Sequence, residues 1–498
     1  MPRHDPDTVS AVLTRGRLGI PAVVFFVVAA AAPLTAVAGG ATTGYAVTGV
    51  LGIPLAYLVV AAVLALFAVG YVAMSRRIVN AGAFYTYVTR GLGRPAGVAA
   101  AIVALVAYNS MQIGLYGVFG AVLSGLLNDR FGMNTTRWLC AVIACAVIAV
   151  LGLLRIDLNG RVLAVLLVAE CVIALVYDAV MVARPVNGLG VSFDTLAPGN
   201  LIGPGIGAAL VTGIAGFVGF EGTTVFAEET KDPKRTVPRA TYIAVAVTAL
   251  LYGLSAWAMS VATGPDQIVA AAQTEGTDLI FNLVSPHLTS SLVTLGRWLF
   301  ITSLFAALLS FHHTVARYAF ALGRERVLPS VLGRTSRRTG APKAGSILQT
   351  ALAVAVLTGY VLADADPIVH LFFWLTSLGA LGVLILMTAT SVAVLSYFAR
   401  IAHRDGMWRT AVAPFLSALA LGAILVVTVE QFDALLGVEP TSPLRWVFPA
   451  SYAVAAATGL AWAFTLRAAR PDVYQTIGLG ADSATAPLRT PDPVRQPV

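Results

Sequence analysis

From residue 20 onward the chain alternates between long apolar runs and short polar stretches. A helix that crosses the hydrocarbon core of a bilayer takes about 20 predominantly apolar residues. Runs of that order lie at 20–40, 48–75, 96–127, 137–154, 161–183, 203–227, 239–263, 292–322, 343–363, 367–399, 409–429 and 446–468. The pattern predicts an all-α membrane protein with twelve transmembrane helices.

The polar stretches carry a pattern of their own. Loops that stay in the cytoplasm collect Lys and Arg. With the N-terminus inside, the inward stretches hold Arg3, Arg15 and Arg17; Arg76, Arg77, Arg90 and Arg94; Arg155 and Arg161; Lys231, Lys234, Arg235 and Arg239; Arg324, Arg326, Arg334, Arg337, Arg338 and Lys343; Arg400, Arg404 and Arg409; and Arg467, Arg470, Arg489 and Arg495. The outward stretches hold only Arg130, Arg137, Arg184, Arg297 and Arg445. They collect acids instead: Asp266, Glu275, Asp278, Asp364, Asp366, Glu430, Asp433 and Glu439. A missed or extra helix would exchange the two sets from that point on. The alternation holds to the end, which predicts a multi-pass protein of the cytoplasmic membrane with both termini in the cytoplasm. Residues 1–19 read as a cytoplasmic N-terminal segment with no cleavable signal. Residues 471–498, rich in Pro, Asp, Thr and Arg, read as a disordered cytoplasmic tail.

Composition agrees with the runs. Of 498 residues, 58% are hydrophobic and 11% charged, against about 25% charged in soluble domains. The excess apolar surface must face lipid, so the bilayer is a partner. The formal charge of +8 sits in short loops rather than on one basic face, which argues against nucleic acid. Cys140, Cys145 and Cys171 all lie inside apolar runs and read as small hydrophobes. The chain has no Walker pattern for direct ATP use and no nucleophile–base or metal constellation. It reads as no enzyme, with no cofactor and no metal; a proton or sodium gradient remains as the driving force. Oligomeric state leaves no mark on the sequence.

Two runs are broken at mid-depth. The first reads Ala29-Ala-Ala-Ala-Pro33-Leu-Thr35-Ala-Val-Ala-Gly39-Gly40. Pro33 lacks a donor and clashes with the preceding turn. The sixth reads Gly213-Ile-Ala-Gly216-Phe-Val-Gly219-Phe220-Glu221-Gly222. In lipid an unpaired backbone group costs several kcal/mol, so irregular backbone survives only where protein or a cavity surrounds it. The two broken runs stand five apart, as inverted repeats of five helices would place them. Half-helix N-termini offer N–H groups to an anion and C-termini offer carbonyls to a cation. A zwitterion fits both. The alternative is helix packing through small residues.

Ionisable residues inside the membrane are functional candidates by default. Glu170 and Glu221 are candidates for cycling a proton. The alternatives are a fixed partner on another helix for Glu170 and a hydrogen bond to the broken backbone for Glu221. His312 and His313 point about 100° apart on their helix, and no i, i+4 partner makes them metal ligands. Ser310 and Thr314 share a face and form either a sodium site against the first run or ordinary interhelical bonds. Tyr108 and Asn109 in the third run line a cavity or pack in the core.

Three stretches carry a family resemblance. One is Asn80-Ala-Gly82-Ala-Phe-Tyr85-Thr-Tyr87-Val-Thr-Arg90-Gly-Leu-Gly93. The second joins Phe217-Val-Gly219-Phe220-Glu221 to Ala227-Glu228-Glu229-Thr-Lys-Asp-Pro233-Lys-Arg235-Thr-Val-Pro238. The third is Arg317-Tyr-Ala-Phe-Ala-Leu-Gly-Arg324-Glu-Arg-Val-Leu-Pro329, followed by Ala341-Pro342. Their order and spacing resemble the amino acid–polyamine–organocation permeases, which use the leucine-transporter fold. The resemblance implies a core at 20–400, in inverted repeats at about 20–184 and 203–400, with peripheral helices eleven and twelve at 409–468. It implies alternating access by a secondary transporter of amino acids, or of a polyamine or small amine. The substrate carboxylate would meet N–H groups near Leu34, Thr35 and Ala36; the ammonium would meet carbonyls near Ala31, Ala32, Ala215 and Phe217.

Two positions depart from the family. Pro33-Leu34-Thr35 stands where relatives have Gly-Ser-Gly, which removes one anion-binding N–H. Glu170 stands where many proton-coupled relatives have a lysine, which reverses the sign of the charge. A channel, a membrane enzyme and a sensor that binds a solute without moving it are the rival classes. Unequal helix breaks argue against the channel. Nothing that reads as a soluble output domain argues for the sensor.

Overall fold

The computed structural model describes residues 19–480 apart from 81, 155, 187–189 and 337–338, and leaves aside the side chains of 26 and 156–164. All of the expected N-terminal segment except Gly19 lies outside the described residues, as do Arg155, Arg337 and Arg338 and the tail from 481.

The described residues form helices joined by turns. Eleven are long and apolar enough to cross a membrane. In chain order the spans are Ile20–Thr48, Ile53–Ser75, Arg94–Phe131, then the fifth at Ile156–Ala183, followed by Ile206–Val225, Pro233–Thr263, Ser290–Arg324, Lys343–Leu362, Pro367–Arg400, Trp408–Glu430 and Leu444–Ala469. The expected fourth span is the shorter apolar helix Arg137–Gly152, 16 residues long. Thr136 caps it by accepting the Leu139 N–H at 3.2 Å. Proline opens several spans and left-handed glycine closes others, such as Gly49 and Gly132 at φ 66° and 61°, where each residue costs least.

Burial sorts the spans into layers. The first, third and sixth are the most enclosed, with 83% of the sixth buried against 22% of the twelfth. The twelfth, ninth and eleventh are the least enclosed, at 22%, 28% and 33%. Small residues let the central backbones touch: a Cβ on Gly117 of the third span would collide with the Pro367 carbonyl of the tenth.

Short helices not visible in the apolar pattern fill the ends. Ala83–Leu92 follows the second span, and Ile268–Glu275 and Leu279–Val284 follow the seventh. The expected structureless tail is ordered at its start. Pro471–Thr476 is helical, and Val473 and Ile477 are buried. The carboxyl of Glu325, one residue past the eighth span, accepts the N–H groups of Gly478 and Gly480, each at 2.6 Å, and the Tyr85 hydroxyl. Arg90 Nε donates to the Gly478 carbonyl at 3.1 Å, and Arg94 donates to that of Gln475 at 3.1 Å. The segment is tied down by backbone groups, so its polar composition does not leave it free.

Candidate substrate-binding cavity

The first span breaks where the sequence places Pro33. A helix over Ile20–Ala31 ends with Ala32 in the left-handed region at φ 46°. The chain resumes as a π-helix over Thr35–Ala41 and an α-helix over Thr42–Thr48. Several of the freed backbone groups find partners inside the protein. The Tyr252 hydroxyl donates to the Ala31 carbonyl at 2.7 Å. The Leu34 N–H donates to the carboxyl of Glu170, which also bonds Ser303. The Thr35 N–H meets Ser303 Oγ at 3.4 Å, and the Ala36 N–H meets the Ala32 carbonyl at 2.9 Å.

The sixth span breaks after Phe217. Val218 is extended, and Gly219 turns the chain at φ 117° into the short helix Gly222–Val225. A side chain at Gly219 would meet two obstacles. Its φ disfavours any Cβ, and that Cβ would lie 2.6 Å from Ala30 Cβ of the first break. Glu221 closes this break. Its carboxyl accepts the Gly219 N–H at 2.9 Å and the Tyr108 hydroxyl at 2.5 Å. Its carbonyl accepts the Tyr71 hydroxyl at 2.9 Å. Each break thus holds one buried carboxyl, Glu170 and Glu221 being 1% and 0% exposed.

A cavity lies between the breaks, of about 70 Å³ counted as the room left for the centre of a water molecule. Ala31, Ala32, Thr35 and Ala36 line it from the first span, and Thr212, Ala215 and Gly216 from the sixth. Met111 and Leu115 face it from the third span, Phe311 from the eighth, and Phe372, Phe373, Thr376 and Ser377 from the tenth. No charged side chain is among the lining residues. The hydroxyls of Thr35 and Thr212 are buried with no hydrogen-bond partner.

Not every sequence candidate reaches the cavity. Leu34 is fully buried away from it. Phe217 packs on Tyr57 and Tyr252, and Phe220 meets Phe67 edge-on. Tyr108 sits behind the wall on Glu221. The Asn109 amide donates to the Leu105 carbonyl at 2.6 Å, and Asn109 is not in the lining. Thr314 donates to the Ser310 carbonyl at 3.0 Å, and on the same span the Ser303 hydroxyl meets the first break. His312 bonds Ser346 at 2.6 Å and Gln112 at 3.2 Å. No group of three metal-ligating side chains occurs among the described residues. Thr212, Met111, Leu115, Phe311 and the Phe372–Phe373 pair escaped the sequence reading. Thr212 carried one signal, a lone hydroxyl just before the sixth break.

The cavity is closed toward the end of the bundle that carries Lys231, Lys234 and Arg235. Tyr71, Tyr108, Tyr318, Phe220 and Glu221 are all at most 1% exposed there. Beyond them Arg317 pairs with Glu229 at 2.7 Å and Arg324 with Glu228 at 2.8 Å, both pairs buried. These bonds tie the eighth span to the segment behind the sixth break. Removing one partner of such a pair costs about 3–5 kcal/mol.

A bundle of apolar spans with a central cavity between two broken helices, sealed at one end, has the architecture of a membrane carrier. The profile of the family described as amino acid permease matches residues 18–458, and the chain belongs to that family. It is 27% identical over 248 residues to the cationic amino acid transporter 7, chloroplastic, of Arabidopsis thaliana, covering 48% of this chain and 37% of that protein. It is 23% identical over 398 residues to the low-affinity putrescine importer PlaP of Escherichia coli, covering 77% of this chain and 82% of the importer. It is 23% identical over 321 residues to the branched-chain amino acid permease BcaP of Bacillus subtilis, covering 60% and 65%.

The Gly219 geometry sets an expected outcome. Gly219→Val adds backbone strain of about 1–3 kcal/mol and drives a branched side chain into Ala30. Uptake should fall to background while surface expression stays near that of the parent. Normal uptake at normal expression would show that the breaks do not form the site.

Proposed function

We propose that the protein is a secondary carrier, not an enzyme, which moves an amino acid with an uncharged, apolar side chain across the cytoplasmic membrane by alternating access, together with a proton. The observation that carries this reading is the lining of the cavity. Backbone and hydroxyl groups of the two broken spans lie on one side, and Met111, Leu115, Phe311 and Phe372 lie on the other. The former suit a zwitterionic head and the latter an apolar side chain. The branched-chain amino acid permease among the relatives agrees with this chemistry.

Glu170 supplies the coupling. As a carboxylate it holds the Leu34 N–H, one residue before Thr35 of the cavity lining. Once protonated, it is a weaker acceptor, and the first break is freed to rearrange around the substrate. Arrival of a proton and arrival of the substrate then favour each other. The same geometry supports a second reading, a small amine. A ligand with no carboxylate leaves the Glu170 bond in place, and the putrescine importer is similar over most of its length.

Uptake into proteoliposomes decides between them. With labelled leucine-like amino acids and putrescine under imposed pH and sodium gradients, the apolar amino acids should accumulate against an inward proton gradient. Accumulation of putrescine alone would select the amine reading, and saturable binding with no flux would select a sensor.

Glu170→Gln mimics the protonated carboxyl. It should keep exchange between equal substrate pools and lose accumulation driven by a pH gradient. Undiminished accumulation would place the coupling group elsewhere.

Both termini lie in the cytoplasm in this reading, with the basic turn after the sixth span inside. Thr236 in that turn is buried, whereas the Arg235 side chain is 78% exposed. A single cysteine at Arg235, with Cys140, Cys145 and Cys171 replaced, should resist an impermeant thiol reagent in intact cells and react after lysis. Reaction in intact cells would invert the topology.

A further inference from the structure

One buried carboxyl takes no part in either break. Asp178 lies on the fifth span, eight residues beyond Glu170 and five short of the end at Ala183. It is 2% exposed. One carboxylate oxygen accepts the Ser255 hydroxyl at 2.8 Å, and the other is buried with no partner. An aspartate at this depth is costly, and an asparagine would accept the Ser255 bond equally well. The second, unpaired oxygen serves no packing purpose.

The seventh span explains where that carboxyl leads. Ser255 and Tyr252 stand three residues apart on it, on one face of the helix. Tyr252 donates to the Ala31 carbonyl at the first break. In the outward direction Ser260 of the same span meets Thr195 of the outer loop at 2.9 Å, both fully enclosed. Ser260, Ser255 and Tyr252 thus space three hydroxyls along the seventh span between the outer loop and the first break, and Ser255 joins that span to the fifth, which carries Asp178 and Glu170. The two acids are separated by about 12 Å along the helix axis. Among the described residues no cation pairs with Asp178. The nearby titratable groups are Tyr252 on the seventh span, Tyr45 on the first, whose hydroxyl donates to the Ala256 carbonyl, and Cys171 and Tyr177 on its own span. Tyr177 turns away to the Leu292 carbonyl, and Arg297 of the eighth span is held by Asp278.

We propose that Asp178 is the outer proton-loading group for Glu170. This rests on the reading that uptake is proton-driven. The carboxylate of Asp178 takes a proton from the outer aqueous side by way of the Thr195–Ser260 end. It then passes the proton inward: one O–H bond breaks at Asp178, one forms at Glu170, and the negative charge moves to Asp178. Protonated Glu170 releases the Leu34 N–H. Asp178 touches no substrate; it delivers the proton that frees the site.

The test compares the parent with Asp178→Asn, Asp178→Glu and Ser255→Ala in proteoliposomes. Three readouts are taken: exchange between equal pools, accumulation under an inward pH gradient, and the dependence of the initial rate on outside pH. Asp178→Asn should keep exchange within about twofold of the parent and slow proton-driven accumulation about tenfold or more. Asp178→Glu should restore most of that rate with a displaced pH profile, which a merely structural partner would not move. Should Asp178→Asn fail to insert, Ser255→Ala carries the test, with slowed accumulation and intact exchange expected. Accumulation and pH profile like the parent's in Asp178→Asn, or in Ser255→Ala where that variant carries the test, would overturn the relay alone. So would equal loss of exchange and accumulation in every variant. A parent that ignores the pH gradient would overturn the coupling reading, and the relay with it.

Discussion

Backbone groups released inside a membrane must find partners, and two helix breaks release several at once. Much of this structure answers that demand. Pro33 and Gly219 open the chain at mid-depth. Glu170 and Glu221 then each supply a carboxyl to the exposed N–H groups, while Tyr252 and Tyr71 supply hydroxyls to exposed carbonyls. Spans three, five, seven and eight are positioned by what they bring to the breaks: Tyr108, Glu170, Tyr252 and Ser303. A break without such partners would cost several kcal/mol for each group. The cavity is the residue of this arrangement, the place where satisfaction stops at two threonine hydroxyls.

The two ends of the cavity are held by different forces. On one side the lining is aromatic and aliphatic, and its contacts are soft. On the other, a layer of tyrosines is backed by two buried ion pairs between the eighth span and Glu228 and Glu229. Buried ion pairs contribute less to net stability than to holding one arrangement over another. An equilibrium between open and closed ends needs that quality, since a seal too strong in net terms never opens.

The sequence carried the broad architecture because lipid imposes it. Apolar length and loop charge marked the spans, and Pro33 and the glycines of 213–222 marked the breaks. The shortest span, Arg137–Gly152, was still legible through its apolar run. The lining of the cavity was less legible. Met111, Leu115, Phe311 and Phe372 come from three spans whose rotation is set by neighbours, and an apolar residue facing a cavity reads like one facing lipid. Ser303 lies two turns before Ser310 on one helix, and only the packed bundle shows that it meets the first span. Glu170 was visible as a misplaced charge. Its occupation of the Leu34 N–H was not, since hydrogen bonding between spans has no linear signature. The start of the tail was missed for a related reason: its order comes from backbone N–H groups, which every sequence has.

The clasp at Glu325 has a consequence for the making of the protein. Its donors, Gly478 and Gly480, lie beyond the helix Leu444–Ala469 and leave the ribosome after it. Every span is synthesised before they exist. The helix over Ala83–Leu92 and the end of the eighth span are therefore joined through this strap only once the chain has been translated past Gly480. A chain cut short after Ala469 would hold every helix up to Leu444–Ala469 and still lack that fastening.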